Sequence, residues 1–170
     1  MELNYDKLEE DLKKPRKNSK RKGSTFERKI CNLFSVRFSE TFNRTPGSGA
    51  FASTHKDATQ FSGDILTPEG FRYVIECKRG YSLEILDFFN SKSVLWDFVR
   101  QVRKDSVSCG KPWIIIYKKD RKKELLICAE QWFYSQHGEF SLPKGHGIPE
   151  KVFVYKLEDV LKEDKSRWFL

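Results

Sequence analysis

The segment spanning residues 63–78 constrains the fold most, because its turn chemistry predicts which side chains share one face of a sheet. Its sequence is GDILTPEGFRYVIECK. Pro68 suits the first central position of a type I turn, and Gly70 suits a following residue at positive φ. Together they predict a hairpin with a three-residue loop and a glycine bulge. That register places Asp64 opposite Val74.

Three ionisable side chains are predicted to share one face of this hairpin. Cross-strand partners lie on the same face, and so do residues two apart in one strand. Asp64, Glu76 and Lys78 therefore project together. The opposite face, directed to the core, carries an apolar set: Phe71, Tyr73, Ile75 and Cys77. Asp64 and Glu76 become diagonal neighbours with Cα atoms roughly 7–8 Å apart, so their carboxylates can share one cation.

Two carboxylates beside a lysine fit the chemistry of metal-assisted phosphodiester hydrolysis. Carboxylate oxygens suit Mg²⁺, which also binds water and substrate phosphate. The metal lowers the pKa of its bound water and offsets charge on the phosphate, while Lys78 would orient or deprotonate the attacking water. The alternative is a solvent-facing sheet on which Glu76 and Lys78 form an ordinary surface pair.

The stretch from Ser24 to Phe38 is predicted to be a helix with a carboxylate inside its apolar stripe. Ser24 and Glu27 fit a capping box. At 100° per residue, however, Glu27 lies only about 20° around the helix from Phe34, and a carboxylate facing the sheet needs a cation or a hydrogen bond. A metal centre would supply that cation. The stripe consists of Phe26, Ile30, Leu33, Phe34 and Phe38.

The remaining patterns alternate between strands and helices, which predicts one α/β domain. Residues 43–63 are rich in Gly, Ser and Thr and are expected to be mostly loop. Apolar runs predict strands at Ile65–Leu66, Phe71–Lys78, Trp113–Tyr117, Leu125–Cys128 and Val152–Tyr155. Helical periodicity predicts helices at Ser91–Ser106 and Leu157–Lys162.

Most of the net charge of +8 comes from one short run. Residues 13–22 contain seven cations and no acid, residues 1–12 are acidic, and residues 23–170 stand at +5. We expect an N-terminal acidic segment and basic arm over 1–22, followed by a single domain over 23–170. The arm is interpreted as solvated and able to bind nucleic-acid phosphates, or else as a disordered solubilising tail. Its candidate contacts are Lys13, Lys14, Arg16, Lys17, Lys20, Arg21 and Lys22.

Composition also excludes several classes of protein. No apolar run approaches the roughly 18 residues that span a bilayer, and the N-terminus lacks a secretory apolar segment. We therefore expect a cytoplasmic protein with no membrane partner. The cysteines lack metal-ligand spacing, so buried free thiols are expected. The histidines, which likewise show no ligand spacing, are assigned to loops: His55, His137 and His146.

These residues together resemble a known nuclease signature. Glu27, then Gly63-Asp64-Ile65, then Ile75-Glu76-Cys77-Lys78 resembles the PD-(D/E)XK nuclease pattern. Two further stretches are similar to the archaeal-type Holliday junction resolvases, a family also found in viruses. These stretches are Arg21-Lys22-Gly23-Ser24 with Glu27-Arg28, and Arg44-Thr45-Pro46-Gly47-Ser48-Gly49.

The resemblance implies a fold, an activity and a set of residue roles. The fold is a restriction-endonuclease-like core, a mixed central β-sheet flanked by helices. The activity is Mg²⁺-dependent cleavage of branched DNA by a homodimer in recombination and repair, with Mn²⁺ able to substitute. Asp64, Glu76 and the backbone carbonyl of Cys77 would bind the metal, Lys78 would assist the water, and Glu27 would complete the acidic site and its metal ligands. Gln101 is the implied accessory residue, and the implied DNA contacts are Arg21, Lys22, Arg28, Arg44 and Ser48.

Three other functions stay open from the sequence. One is a sequence- or modification-dependent endonuclease of the same superfamily, since residues 50–62 and 129–150 have no recognised counterpart. The second is a non-catalytic nucleic-acid-binding protein that uses the basic arm. The third is a protein-interaction domain. The presence of all four catalytic-type residues favours an enzyme.

Overall fold

A five-stranded mixed sheet between two long helices forms the framework of the protein. The computed structural model describes residues 19–46, 62–90, 92–141 and 151–170. Helices are α1 (Ser19–Phe38), α2 (Val94–Cys109) and α3 (Leu157–Val160), with 3₁₀ segments at Ile85–Phe88 and Lys165–Arg167. Strands are β1 (Asn43–Arg44), β2 (Ile65–Leu66), β3 (Val74–Arg79), β4 (Trp113–Lys118), β5 (Leu125–Cys128), β6 (His137–Ser141) and β7 (Lys151–Lys156). The predicted α/β class is confirmed.

The strand that carries Glu76 and Lys78 lies at one edge of the main sheet. The strand order is β3-β4-β5-β7-β6, and β1 and β2 form a separate two-stranded ribbon. β3 and β4 are parallel, because α2 returns the chain between them. The other neighbouring pairs are antiparallel. Within the described residues, one side of β3 is therefore not paired with another strand of this sheet.

Each face of the sheet is covered by one long helix. α1 packs on the face that carries Ile75 and Cys77, and α2 packs on the face that carries Val74. This alternation confirms the prediction that Ile75 and Cys77 point away from Val74. α2 begins after Ser93, whose side chain caps Leu95 N, and ends at Gly110 with a φ of 68°.

The predicted capping box at Ser24 is wrong, because the first helix begins earlier. Residues 19–22, which were assigned to the basic arm, are already helical. The hydroxyls of Ser24 and Thr25 both donate back to the carbonyl of Arg21, which places them inside the helix. Serine and threonine side chains make such bonds in helix interiors. Glu27 therefore does not cap this helix.

The predicted hairpin between residues 65–67 and 71–78 is also wrong. β2 pairs with β1 instead of β3. The turn runs from Pro68 to Phe71, closed by Phe71 N donating to Pro68 O at 3.2 Å, so Pro68 is its first residue instead of its first central one. Gly70 does have the expected positive φ, at 75°.

The C-terminal residues occupy the place that the hairpin partner was expected to take. Arg72 N donates to Trp168 O at 2.9 Å, and Leu170 N donates to Gly70 O at 2.8 Å. Trp168 is fully buried, and its ring stacks on Phe71 within a large aromatic cluster. The aromatic packing and backbone pairing together hold the turn against the end of the chain.

The segment 129–150 contributes a strand that periodicity did not predict. β6 pairs antiparallel with β7, and its His137 packs against Phe153 and Tyr155. His137 thus lies in a strand, while His55 and His146 fall outside the described residues. Of the four free cysteines, three are buried as expected and Cys109 is partly exposed. Among the described helices, none has the length and apolarity to cross a membrane.

Candidate active site

Asp64 is held against the free edge of β3 by two hydrogen bonds. Its backbone N–H donates to Ile75 O at 2.9 Å, and its Oδ2 accepts from Cys77 N at 2.8 Å. Alternate residues of a strand direct their backbone groups to the same side. The backbone carbonyl of Cys77 therefore also faces this edge, next to the Asp64 carboxylate.

Gly63 permits this close approach because it has no side chain. Its φ is 81°, a region that other residues rarely occupy. A Cβ at this position would lie 2.6 Å from Ile75 O and 2.9 Å from Val74 Cγ1. Its carbonyl accepts from Thr45 Oγ1 at 2.9 Å. The main chain before Asp64 is thus fixed in both conformation and position.

Glu76 and Lys78 lie together on the face of β3 that α2 covers. Lys78 Nζ is 2.5 Å from Glu76 Oε1 and donates to Gln101 Oε1 at 2.9 Å. The ammonium group also lies 5.0 Å from the centroid of the Phe98 ring. Phe98 and Gln101 are one helical turn apart on α2, so this helix positions the lysine. Gln101, which was predicted to be an accessory residue, contacts Lys78 directly.

Burial perturbs the carboxyl groups of Asp64 and Glu76. Glu76 is 1% exposed, and burial together with the charge of Asp64 raises its pKa to about 8, against the opposing charge of Lys78. Burial also raises the pKa of Asp64, with the charge of Glu27 acting in the same direction, against the hydrogen bond from Cys77 N. Both buried carboxyl groups are therefore harder to ionise than carboxyl groups in water.

Glu27 receives its cation from an arginine. Arg44 Nε donates to Glu27 Oε2 in a partly buried ion pair. Arg44 is aligned with Ile65 in the β1–β2 ribbon, and Thr45 N donates to Asp64 O at 3.0 Å. The need for a cation beside Glu27 was predicted from its position in the apolar stripe, and the structure meets it with Arg44. A metal-binding role for Glu27 stays a prediction.

Asp105 is a site residue that the sequence analysis missed. Its carboxylate accepts a hydrogen bond from the backbone N–H of Gly63, and it lies close enough for its charge to be felt by Glu76 and Lys78. Asp105 follows Gln101 by four residues on α2 and therefore lies on the same helix face. That spacing was the available signal, but it gains meaning only once Gln101 is known to face the site.

Most of the chain matches one known protein family. A family model described as "Phage putative PDDEXK endonuclease" matches residues 18–163. The chain belongs to this family. Neither a search of curated proteins nor a search of solved structures finds a significant match. Membership makes the chain a nuclease of the PD-(D/E)XK superfamily, with DNA as the substrate that an endonuclease implies.

The PDDEXK pattern fits the geometry, with one local difference. The resemblance assigns Asp64 to the first acid and Glu76-Cys77-Lys78 to the second half of the pattern, and this assignment stays a prediction. Gly63 precedes Asp64, where the pattern is named for a proline. Proline is restricted to a φ near −65°, so the φ of 81° at this position excludes it here. Glycine is the residue that the local backbone requires.

The donor atoms of the PDDEXK site suit a hard divalent cation. Among the described residues, no three His, Cys, Asp or Glu side chains lie close enough to form a complete metal site. Glu76 Oε1 is buried and forms an ion pair with Lys78. Within the described residues, no donor is oriented to form a hydrogen bond with this oxygen. Together with Asp64 and the carbonyl of Cys77, this oxygen provides ligands of the type that Mg²⁺ prefers.

The predicted DNA contacts have different surroundings in this endonuclease. Arg21 and Arg28 are exposed on α1, and Lys22 forms an ion pair with Asp120 at 3.3 Å. Arg44 is engaged by Glu27. Lys20 lies within α1, although its side chain is outside the described part. The remaining candidates also lie outside it: Lys13, Lys14, Arg16, Lys17 and Ser48.

Proposed function

We propose that this nuclease is a divalent-metal-dependent DNA endonuclease that cuts branched DNA as a homodimer. The observation that carries the proposal is the buried pair Asp64 and Glu76 beside Lys78. Burial raises the pKa of both carboxyl groups, and within the described residues Glu76 Oε1 is buried without a hydrogen bond. Buried carboxyl groups with perturbed pKa values beside a lysine are concentrated at functional sites, which supports the proposal.

The side chains of the site have distinct roles in this proposal. Mg²⁺ bound by Asp64, Glu76 and the Cys77 carbonyl would lower the pKa of a bound water and offset charge on the phosphate. Lys78 contributes an ammonium group, fixed by Gln101 at 2.9 Å, that hydrogen-bonds the attacking water or a phosphate oxygen. Burial of the pair limits competition from bulk water and strengthens these charge interactions.

The preference for branched DNA rests on the resemblance to the junction resolvases. Its motifs are Arg21–Arg28 on α1 and Arg44–Gly49, which begins in β1 and ends outside the described residues. A homodimer with twofold symmetry would present two active sites to two strands of like geometry. Symmetric cleavage of a four-way junction requires that arrangement. The dimer is expected to have a mass twice the 20.1 kDa of the chain, which light scattering measures.

Cleavage of defined DNA substrates tests the proposal. Labelled four-way junction, linear duplex and single-stranded DNA are incubated with the purified protein and Mg²⁺, Mn²⁺ or EDTA. We expect symmetric cuts in the junction with either metal and none in EDTA. Asp64→Asn and Lys78→Met should each reduce the rate by at least about 100-fold. Glu139→Gln, a carboxylate change on β6 at the opposite edge of the sheet, is the matched control.

Each contrary result identifies a different error. Unchanged cutting by both site variants would show that the active site is elsewhere. Cleavage of linear duplex at preferred sequences, with no junction preference, would favour a sequence- or modification-dependent endonuclease. Binding without cleavage of any substrate would favour a non-catalytic DNA-binding protein.

A further inference from the structure

The turn that joins β4 to β5 carries an unusual concentration of positive charge. Residues 118–123 read KKDRKK, five cations and one acid. Three of the cations form ion pairs with nearby carboxylates: Lys118–Glu124, Lys119–Glu84 and Lys123–Glu158. Arg121 and Lys122 are exposed, and within the described part of the chain neither has an ion-pair partner. The turn therefore presents two uncompensated charges at its tip.

The backbone conformation of Arg121 gives a second reason to assign this turn a role. Its φ is 62°, in the left-handed region. A residue with a side chain costs roughly 1–2 kcal/mol there, and glycine or asparagine is better suited. Packing does not explain the arginine, because the side chain is exposed. A cation held in a conformation that disfavours it indicates a use for its guanidinium group.

The turn is braced so that these two side chains point outward from a fixed base. Lys122 N donates to Lys119 O at 3.1 Å, which closes the turn. Lys118 Nζ donates to Lys122 O at 2.9 Å. Asp120 is held on two sides, by Lys22 Nζ at 3.3 Å and by Arg79 Nε at 3.6 Å. Little conformational entropy of the backbone remains to be lost on binding.

The turn lies beside the candidate active site. Lys78 is aligned with Tyr117 in the parallel β3–β4 pair. At roughly 3.3 Å per residue along β4, the tip is about 10–15 Å from that lysine. This distance corresponds to about three to four nucleotides along duplex DNA. The Lys22–Asp120 ion pair also joins the turn to the start of α1, where Arg21 is exposed.

We propose that Arg121 and Lys122 bind backbone phosphates of the DNA about three to four nucleotides from the bond that is cut. This inference rests on the proposed function and extends its DNA-binding surface to the β4–β5 turn. The phosphate backbone carries no sequence information. The turn accordingly contributes affinity and fixes how the duplex lies across the site, and the chemistry stays with Asp64, Glu76 and Lys78.

The test measures how DNA binding depends on salt in a double variant. Arg121→Asn with Lys122→Ser removes both charges and keeps a residue that tolerates the left-handed conformation. Lys111→Ser with Lys151→Ser lowers the net charge equally at the opposite end of the strands. Arg121→Lys with Lys122→Arg keeps the charge. Fluorescence anisotropy with a labelled 30-base-pair duplex and a four-way junction, in EDTA between 50 and 200 mM KCl, prevents cleavage during measurement.

We expect the turn variant to bind roughly 10- to 60-fold more weakly at 0.1 M salt. The slope of log K against log salt should be shallower by about 1 to 2, since each phosphate contact contributes about 0.9. The charge-keeping variant should retain the wild-type slope. A turn variant whose slope equals that of the Lys111/Lys151 control overturns the inference. If wild type cuts DNA in that case, the proposed function survives; a wild type that neither binds nor cuts DNA refutes both.

Discussion

Replacing Gly63 with alanine should destabilise the protein far more than the same change at another glycine of similar conformation. The added Cβ would lie 2.6 Å from Ile75 O and 2.9 Å from Val74 Cγ1. Since Ile75 O belongs to the backbone of β3, it cannot rotate away. The peptide before Asp64 has to move instead, and both of the hydrogen bonds that attach Asp64 to β3 are lost or lengthened.

The expected magnitude follows from three contributions. The left-handed conformation costs an alanine roughly 1–2 kcal/mol. Loss of the bond from Asp64 N to Ile75 O costs about 1 kcal/mol, and loss of the bond from Cys77 N to the Asp64 carboxylate costs about 1.5–3 kcal/mol. Gly63→Ala should therefore lower the free energy of unfolding by roughly 3.5–6 kcal/mol, a large share of the roughly 5–15 kcal/mol that is typical of a domain.

Gly110→Ala is the matched control for this prediction. Gly110 has a φ of 68°, and a Cβ there would meet nothing within 4 Å. Gly110→Ala should lower the free energy of unfolding only by the roughly 1–2 kcal/mol that the left-handed conformation costs an alanine. Urea denaturation measures both variants, and cleavage assays should show activity retained in Gly110→Ala and lost at least about 100-fold in Gly63→Ala. Two variants that agree within 1 kcal/mol would refute the close-approach argument.

Three further predictions concern contacts outside the Asp64–Glu76 pair. Asp105→Ala should cost about 1–3 kcal/mol because it leaves the Gly63 N–H unpaired, whereas Asp105→Asn keeps an acceptor and should cost less; equal losses in urea denaturation would contradict this role. Burial raises the pKa of Glu124, but hydrogen bonds from Lys118 and Lys29 outweigh burial and lower this pKa from 4.5 to about 2. The contribution of Glu124 to the free energy of unfolding is therefore present above pH 4.5 and is lost as pH falls toward 2. After allowance for solvent screening, Glu124→Gln should remove roughly 1–2 kcal/mol of the decrease in unfolding free energy that wild type shows over this pH range. Trp168→Ala should cost about 3–5 kcal/mol in thermal or urea unfolding, because it empties a fully buried position; a loss below 1 kcal/mol would show that the C-terminus is not part of the core.

Elements with strong periodicity could be predicted from the sequence. The strand Leu125–Cys128 was predicted with its correct bounds, and α2 was displaced by only a few residues. Periodicity reports which side of an element is buried, so it works wherever one face meets the core. β6 was missed because HGEFS offers little alternation, and its pairing with β7 depends on a distant part of the chain.

The candidate site was predicted through a pairing that does not exist. Asp64 was expected near Glu76 because of a hairpin register, yet residues 70–72 pair with the C-terminus. The two acids still meet, because Asp64 contacts the free edge of β3 directly. Local turn chemistry cannot reveal a partner almost a hundred residues away. For the same reason the spacing of Asp105 from Gln101 could not be interpreted before α2 was known to face Gly63 and Lys78.

The attachment of Asp64 to β3 also bears on solubility. An edge strand with unpaired backbone groups is a template for pairing with another chain, and proteins protect such edges. Asp64 occupies the carbonyl of Ile75 and the amide of Cys77, so it shields the edge of an apolar strand from other molecules. Truncating Asp64 to alanine would expose the Cys77 amide and invite aggregation. Asparagine, which retains an oxygen acceptor, is the better choice for an inactive protein intended for crystallisation with DNA.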